Sequence, residues 1–172
     1  NVARAAGQAI RTGMVANGAA AMDLFTHATQ RGLNVSEDML DTVTEYSTQF
    51  RKVGIDGETA FALINQMVKN GARDTDVAAD ALKEFSLKAI EGTDGSAMAY
   101  EVLGLNMDEM IDKFVQGGPV ARDALGLVLT KLREMPPSWE KNMAAVGLFG
   151  TQAEDLGAAL DHMNLDTAVA EF

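Results

Sequence analysis

A chain of 172 residues with 47% apolar and 23% charged residues has the composition of a folded globular protein rather than of a disordered segment. Its formal net charge of -11 and its lack of clustered Lys and Arg argue against nucleic acids and anionic membrane surfaces as partners. The absence of cysteine excludes disulfides, thiolate catalysis and metals bound through sulfur. No apolar run approaches about 18 residues, so the sequence predicts no membrane span.

Apolar residues that recur every three or four positions predict helices along the whole chain, and no stretch alternates with the period of two that marks a strand. The cleanest stripe runs through residues 121–135 and places Leu125 and Val128 in the core. In chain order, about eight helices are predicted, at residues 3–30 (with a break near Gly18), 37–53, 57–70, 75–91, 96–103, 107–116, 119–135 and 138–163 (with a break near Gly150).

Glycines stand where the apolar stripes stop, as expected for helix ends that need a positive φ. In three joints the glycine closes one helix, the next residue packs inward, and an Asn or Asp helps to start the following helix. These joints are Gly32-Leu33-Asn34, Gly54-Ile55-Asp56 and Gly104-Leu105-Asn106. The other predicted closing glycines are Gly71, Gly92, the pair Gly117-Gly118, and Gly150.

Helix starts are marked by capping residues. Ser36 precedes two acidic residues, and Val35 before it can pack as a hydrophobic staple onto Leu40, so a helix is predicted to begin there. Capping boxes or close variants are predicted at two further starts, Asn106 with Glu109 and Thr151 with Glu154.

Because the joints are short, consecutive helices must pack as neighbours. The predicted fold is all-α, a compact multi-helix domain of about eight short helices joined by tight Gly-containing turns. Residues 1–172 are predicted to form a single helical domain, with residues 1–31 as a candidate separate N-terminal helical arm. The chain starts without methionine and ends without a stop signal, so we interpret it as a fragment of a much longer chain. Assembly into a homo-oligomer is left as an open alternative.

The residues that could bind a metal do not form a recognisable site. His27 and His162 are the only histidines, His27 has no acidic residue at i+3 or i+4, and neither histidine has a second one nearby. Residues 74–76 begin like a calcium loop, but Ala79 occupies the position that requires glycine. Clustered acidic residues fall in the first turns of predicted helices, where the helix dipole favours them, at residues 37–41, 108–112 and 154–155.

No motif of an enzyme is present either. Residues 92–95 (Gly-Thr-Asp-Gly) lack the Lys-Ser/Thr pair and the preceding strand of a phosphate loop, and no G-x-S-x-G elbow exists. Trp139 is predicted to be a core or interhelix plug, with a binding role as the alternative. The sequence therefore predicts no catalytic residue, no cofactor, no metal and no enzymatic activity.

Several phrases in a fixed order resemble tail tape-measure proteins of siphophages and related prophages, over roughly residues 10–160. Ala153 departs from the resemblance, because many members of that family carry Trp there, and this thins the local packing. The phrases are Met39-Leu40-Asp41 to Phe50, Gly71-Ala72-Arg73-Asp74 to Phe85, Ile90-Glu91-Gly92, Leu103-Gly104-Leu105-Asn106, Gly117-Gly118-Pro119, and Val146-Gly147-Leu148-Phe149-Gly150-Thr151-Gln152 with Glu154-Asp155-Leu156-Gly157.

The resemblance implies a structural segment that takes part in tail-length determination, tail assembly and genome delivery. It implies the tail tube and the tail assembly chaperones as partners, synthesis in the bacterial host cytoplasm and a place in the tail lumen of the phage virion. It offers no catalytic residues. Two alternatives remain from the residues alone: a helical adaptor domain that binds a protein or peptide, and a small hydrolase with convergent polar groups in one pocket.

Overall fold

The computed structural model describes residues 2–34 and 37–172, and it is all-α, as the sequence predicts, with no strand in these two ranges. The predicted start at Val35 and Ser36 lies outside the described residues. The helices in chain order are α1 (Val2–Arg11), α2 (Gly18–Gln30), α3 (Glu37–Lys52), α4 (Gly57–Lys69), α5 (Thr75–Glu91), α6 (Asp94–Val102), α7 (Met107–Gln116), α8 (Gly118–Glu134), α9 (Trp139–Phe149), α10 (Gln152–Leu156), a 3-10 helix (Gly157–His162) and α11 (Leu165–Glu171).

The prediction of about eight helices undercounts the elements in this part of the chain. The first predicted helix is two helices separated by residues 12–17, because the chain turns at Gly13 with φ of 79°. The last predicted helix is α9, α10 and the 3-10 helix, divided at Gly150. The sequence prediction missed α11, which begins where the Asn164 side chain accepts a hydrogen bond from the amide of Asp166.

The predicted glycine joints are confirmed. All the glycines predicted to close helices have positive φ, between 53° and 117°. At all three Gly-X-Asn/Asp joints the amide of the residue after glycine donates to the carbonyl five residues earlier, from Leu33 to Ala28 (3.0 Å), from Ile55 to Phe50 (2.9 Å) and from Leu105 to Tyr100 (2.8 Å). These bonds satisfy carbonyls that a helix end leaves free, so each joint turns the chain without loose backbone.

Capping at the predicted starts is confirmed at Asn106, whose side chain accepts from the amide of Glu109 (3.0 Å). Asp56 caps α4 in the same way by accepting from the amide of Thr59 (2.8 Å). At Thr151 the described bond joins backbone atoms, from the amide of Glu154 to the carbonyl oxygen of Thr151 (3.2 Å).

The core is continuous from α1 to α11, and α4 and α5 lie in its middle. Helix α4 packs against α2, α5 and α11, and it is buried from Thr59 to Met67 on every side. Because residues on every face of α4 are buried, this helix needs neighbours on all sides, and α2, α5 and α11 are among them. Leu125 and Val128 of α8 are buried, as predicted.

Gln66 is a buried polar residue that holds the C-terminal helix on α4. Its Oε1 accepts from the amide of Asn164 (2.8 Å), and its Nε2 donates to the carbonyl oxygen of Asn164 (3.3 Å) and to Oγ1 of Thr167 (3.1 Å). Arg133 of α8 donates to the carbonyl oxygen of Met163 (2.7 Å). The two residues before α11, Met163 and Asn164, are therefore each held through their backbone by a side chain of another helix, α8 and α4 respectively.

Gln66→Met keeps the shape of this side chain and removes its hydrogen bonds, so we expect it to cost about 2 kcal/mol of unfolding free energy in urea. Amides of α11 should exchange faster with solvent in this variant, because the segment loses its main polar anchor. Gln152→Met is the matched control. Gln152 is half-buried with one bond of 3.3 Å to Asp80, so its loss should cost well under 1 kcal/mol. Equal costs for the two variants would show that Gln66 does not anchor α11.

Candidate functional site

The two histidines lie in unrelated environments. His27 is in α2, where its Nε2 contacts the backbone carbonyl of Phe172 and its ring meets the Phe172 ring edge-on at 4.5 Å. His162 is exposed at the end of the 3-10 helix. Within residues 2–34 and 37–172, no three His, Asp or Glu side chains are grouped so that they could hold a metal ion.

Asp74 is a helix cap in this structure. Its Oδ1 accepts from the amide of Val77 (2.8 Å) at the start of α5, and its Oδ2 lies 3.3 Å from Nε of Arg73. The hydrogen bond from the Val77 amide, followed by the nearby Arg73 charge, holds the pKa of this carboxyl below its ordinary value. The side chain that begins the calcium-like sequence is therefore committed to the backbone of its own helix.

The other sequence candidates that the structure describes lie at helix joints or within helices. Residues 92–95 span the joint between α5 and α6 and the first two residues of α6, where Gly92 has φ of 72° and Thr93 caps α6 by accepting from the amide of Ser96 (3.3 Å). Asp108 and Glu109 lie in the first turn of α7, and residues 154–155 lie in α10. The side chains of Glu37 and Asp38 lie outside the described residues.

The prediction that Trp139 is a core plug is wrong: the residue is 71% exposed. The buried face of α9 contains Ala144, Ala145, Leu148 and Phe149. Trp139 precedes Leu148 by nine residues, which is about two and a half helical turns, so the two side chains leave the helix on opposite sides. The first turn of α9 therefore presents the indole to solvent.

Two of the recesses in the described part of the chain have both apolar and charged residues in their lining. A cleft of about 330 Å³ lies between α8, α9 and the 3-10 helix, with Leu132, Ala145 and Leu160 among its lining residues. An open groove of about 720 Å³ lies between α2 and the C-terminal residues, where His27 and Phe172 meet. The residues lining either recess include no nucleophile hydrogen-bonded to a base, so neither has the paired groups that acyl or phosphoryl transfer uses.

Sequence reasoning did not identify Gln66, the residue with the most long-range polar contacts in the described chain. The sequence does contain a sign of a buried polar residue here, because Asn65-Gln66 interrupts an otherwise apolar run from Ala60 to Val68. Its partners are 98 to 105 residues away, so no local pattern could have named them. None of the described helices is long and apolar enough to cross a membrane.

Comparisons with known proteins agree with this structural picture. Residues 1–150 match the family described as phage-related minor tail protein. The chain is 46% identical over 165 residues to the probable tape measure protein of Streptomyces phage phiC31. This alignment covers 96% of the chain and 23% of that relative, so the chain spans about a quarter of the relative's length. No solved structure matches the chain significantly. The chain belongs to the family of phage-related minor tail proteins.

Proposed function

We propose that this chain is a structural segment of a tail tape-measure protein, with a role in tail-length determination, tail assembly and genome delivery, and with no catalytic role. The observation that carries the proposal is the 46% identity over 165 residues to a probable tape measure protein. The partners in this proposal are the tail tube and the assembly chaperones. The protein would be made in the host cytoplasm and held in the tail lumen of the virion.

The proposed role requires a rod or a string of rigid pieces rather than a reactive centre. Helices joined by short glycine turns supply such pieces, because the backbone bonds at each joint close one helix before the next begins. Three polar side chains near the sequence candidates, those of Asp74, Thr93 and Asn106, cap helices by accepting hydrogen bonds from backbone amides, which supports a structural role for them.

Residues 1–172 are proposed to fold as one unit rather than with residues 1–31 as a separate arm. Ala5 and Ala9 of α1 are buried, and Arg4 of α1 pairs with Asp41 of α3 at 2.8 Å. Helix α2 contacts α4 and reaches Phe172 through His27. A single urea transition, reported alike by far-ultraviolet circular dichroism and by the hydrodynamic radius, is the expected signature of one unit.

Deleting residues 37–160 in frame from the parent gene tests the proposed role. If the segment is fully helical along the tail, loss of these residues shortens the tail by about 1.5 Å per residue, or on the order of 190 Å, in electron micrographs. An assembly block without short tails would indicate a role in building the tail rather than in measuring it. Unchanged tails that fail to infect would indicate genome delivery, and unchanged tails with normal infection would contradict the proposal.

A further inference from the structure

The open groove beside α2 has an apolar floor that the domain covers only in part. Val15, Leu24 and Val169 line it, and each packs on the core while part of its side chain remains in solvent. The buried side chains of Met14 and Phe172 also belong to the lining. The volume of about 720 Å³ is in the range of pockets that hold a ligand, so the groove can take several apolar side chains of a partner.

Helix α2 supplies one long wall of this groove. Its core stripe, which includes Phe25, is buried. A second stripe of Ala20, Leu24 and His27 has the same helical spacing on a neighbouring face, and this stripe is half-buried and lines the groove. From Ala20 to Gln30 the wall is about 15 Å long, or nearly three helical turns. A wall of this length and spacing fits the apolar face of a helix that lies alongside α2.

The acidic side chains at the groove have no basic neighbours in its lining. Asp23, Asp56 and Glu58 line it, and among the described residues that do so there is no Lys or Arg. Asp56 is committed to the cap of α4, whereas Asp23 and Glu58 are exposed and form no ion pair with a described residue. The positive end of the α4 dipole offsets only about half an elementary charge of this negative field. The groove therefore attracts a cationic partner.

We propose that this groove binds a basic amphipathic helix of a partner protein. The apolar side chains of that helix would lie on Val15, Leu24 and Val169, and its Lys or Arg side chains would lie beside Asp23 and Glu58. A second copy of this chain is a poor occupant, because each copy carries a net charge of -11. The proposal concerns the groove alone and is independent of the role of the protein in the tail.

A synthetic helical peptide of leucine and lysine, with leucine on one face, has the chemistry of the proposed partner. Its dye-labelled form should bind the 172-residue chain with micromolar affinity in fluorescence anisotropy, and added salt should weaken the binding. In NMR spectra the peptide should shift the amide signals of α2 and α11 and leave those of α7 unchanged. A twin peptide with glutamate in place of lysine keeps the apolar face and reverses the charge, so it should bind at least about tenfold more weakly.

Two pairs of substitutions separate the charge of the groove from the charge of the whole protein. Asp23→Asn combined with Glu58→Gln removes two carboxylates from the groove and should weaken binding of the lysine peptide about fivefold. Asp108→Asn combined with Glu109→Gln is the matched control. Both residues are exposed in the first turn of α7 and do not line the groove, so this pair should change the affinity by less than about twofold.

A second test fills the groove without changing its charge. Ala20→Phe extends a ring from the wall of α2 into the space that the peptide needs, so it should weaken binding at least about tenfold. Ala19→Phe is the matched control, because Ala19 is exposed in the same turn of α2 and does not line the groove. Any general effect of phenylalanine on this helix is shared by the two variants, and only the first should lose the peptide.

The proposal is overturned by any of five results. The lysine peptide may fail to bind, or the glutamate peptide may bind equally well, which would mean that the groove has no preference for cations. Equal weakening by the two charge pairs would mean that the net charge of the protein attracts the peptide. Binding that survives Ala20→Phe would place the peptide elsewhere. Self-association of the chain that Ala20→Phe abolishes would assign the groove to a second copy.

Discussion

Gly54→Ala should lower the free energy of unfolding by about 3 kcal/mol, which is far more than the usual effect of alanine at a helix end. Gly54 has φ of 78°, a conformation that costs a residue with a Cβ about 1 kcal/mol. A Cβ there would also lie 2.5 Å from the backbone nitrogen of Arg122 and 2.8 Å from the carbonyl carbon of Ala121. Backbone cannot move aside as a flexible side chain can, so the turn and α8 would have to separate, and overpacking of this kind costs a further ~1–3 kcal/mol.

Gly104→Ala provides the matched control. Gly104 has φ of 74° in the same kind of joint, but nothing lies within 4 Å of a Cβ built there. Its substitution should cost only the conformational part, about 1 kcal/mol. Urea unfolding of the two variants measures the difference directly. Equal losses would mean that the approach of Gly54 to α8 contributes nothing to stability.

The largest effect on the core is expected from Phe85→Ala, at about 4 kcal/mol. Phe85 of α5 is fully buried, and its ring stacks on Phe149 of α9 at 5.1 Å and meets Phe114 of α7 edge-on at 6.2 Å. The loss of this ring removes an aromatic contact to two helices at once and leaves a cavity that rigid helices cannot fill.

Phe85→Leu is the graded control, because leucine refills most of the volume but not the ring contacts. It should cost about 1–2 kcal/mol. Both variants are measured by urea unfolding, followed by far-ultraviolet circular dichroism. If Phe85→Ala costs no more than Phe85→Leu, the ring is not the link between α5, α7 and α9 that its contacts indicate.

The sequence predicted well those parts of the fold whose conformation depends on residues only a few positions away in the chain. The closing glycines and the Asn106 cap depend on backbone conformation within a few residues, so residue type alone is informative there. Helix α11 was missed because it is only seven residues long and its apolar stripe is correspondingly short. Its cap, Asn164, is the local signal that was available.

Contacts between distant parts of the chain could not be predicted in the same way. The close approach of Gly54 to Ala121 and the bonds of Gln66 to Asn164 join residues that are far apart in sequence. The error at Trp139 has a different cause, since residue type was given more weight than helical position. Counting nine residues back from Leu148 would have placed the indole on the solvent side of α9.

A tail ruler is often pictured as one extended coiled coil, which needs apolar heptads sustained over several turns. This segment instead has short helices that fold back on one core. The same 172 residues would occupy very different lengths in the two forms. A continuous helix would be about 260 Å long, whereas a compact domain of this size is only about 40 Å across.

Tail length in phage that carry a tandem duplication of residues 1–172 in the parent gene is the most direct test of the central claim. A segment that helps to set tail length must lengthen the tail when it is present twice. An increase of about 260 Å would show that the segment is extended in the tail, and an increase of about 40 Å would show that it stays compact. Tails of unchanged length, assembled around a protein shown to contain both copies, would contradict a length-setting role for this segment.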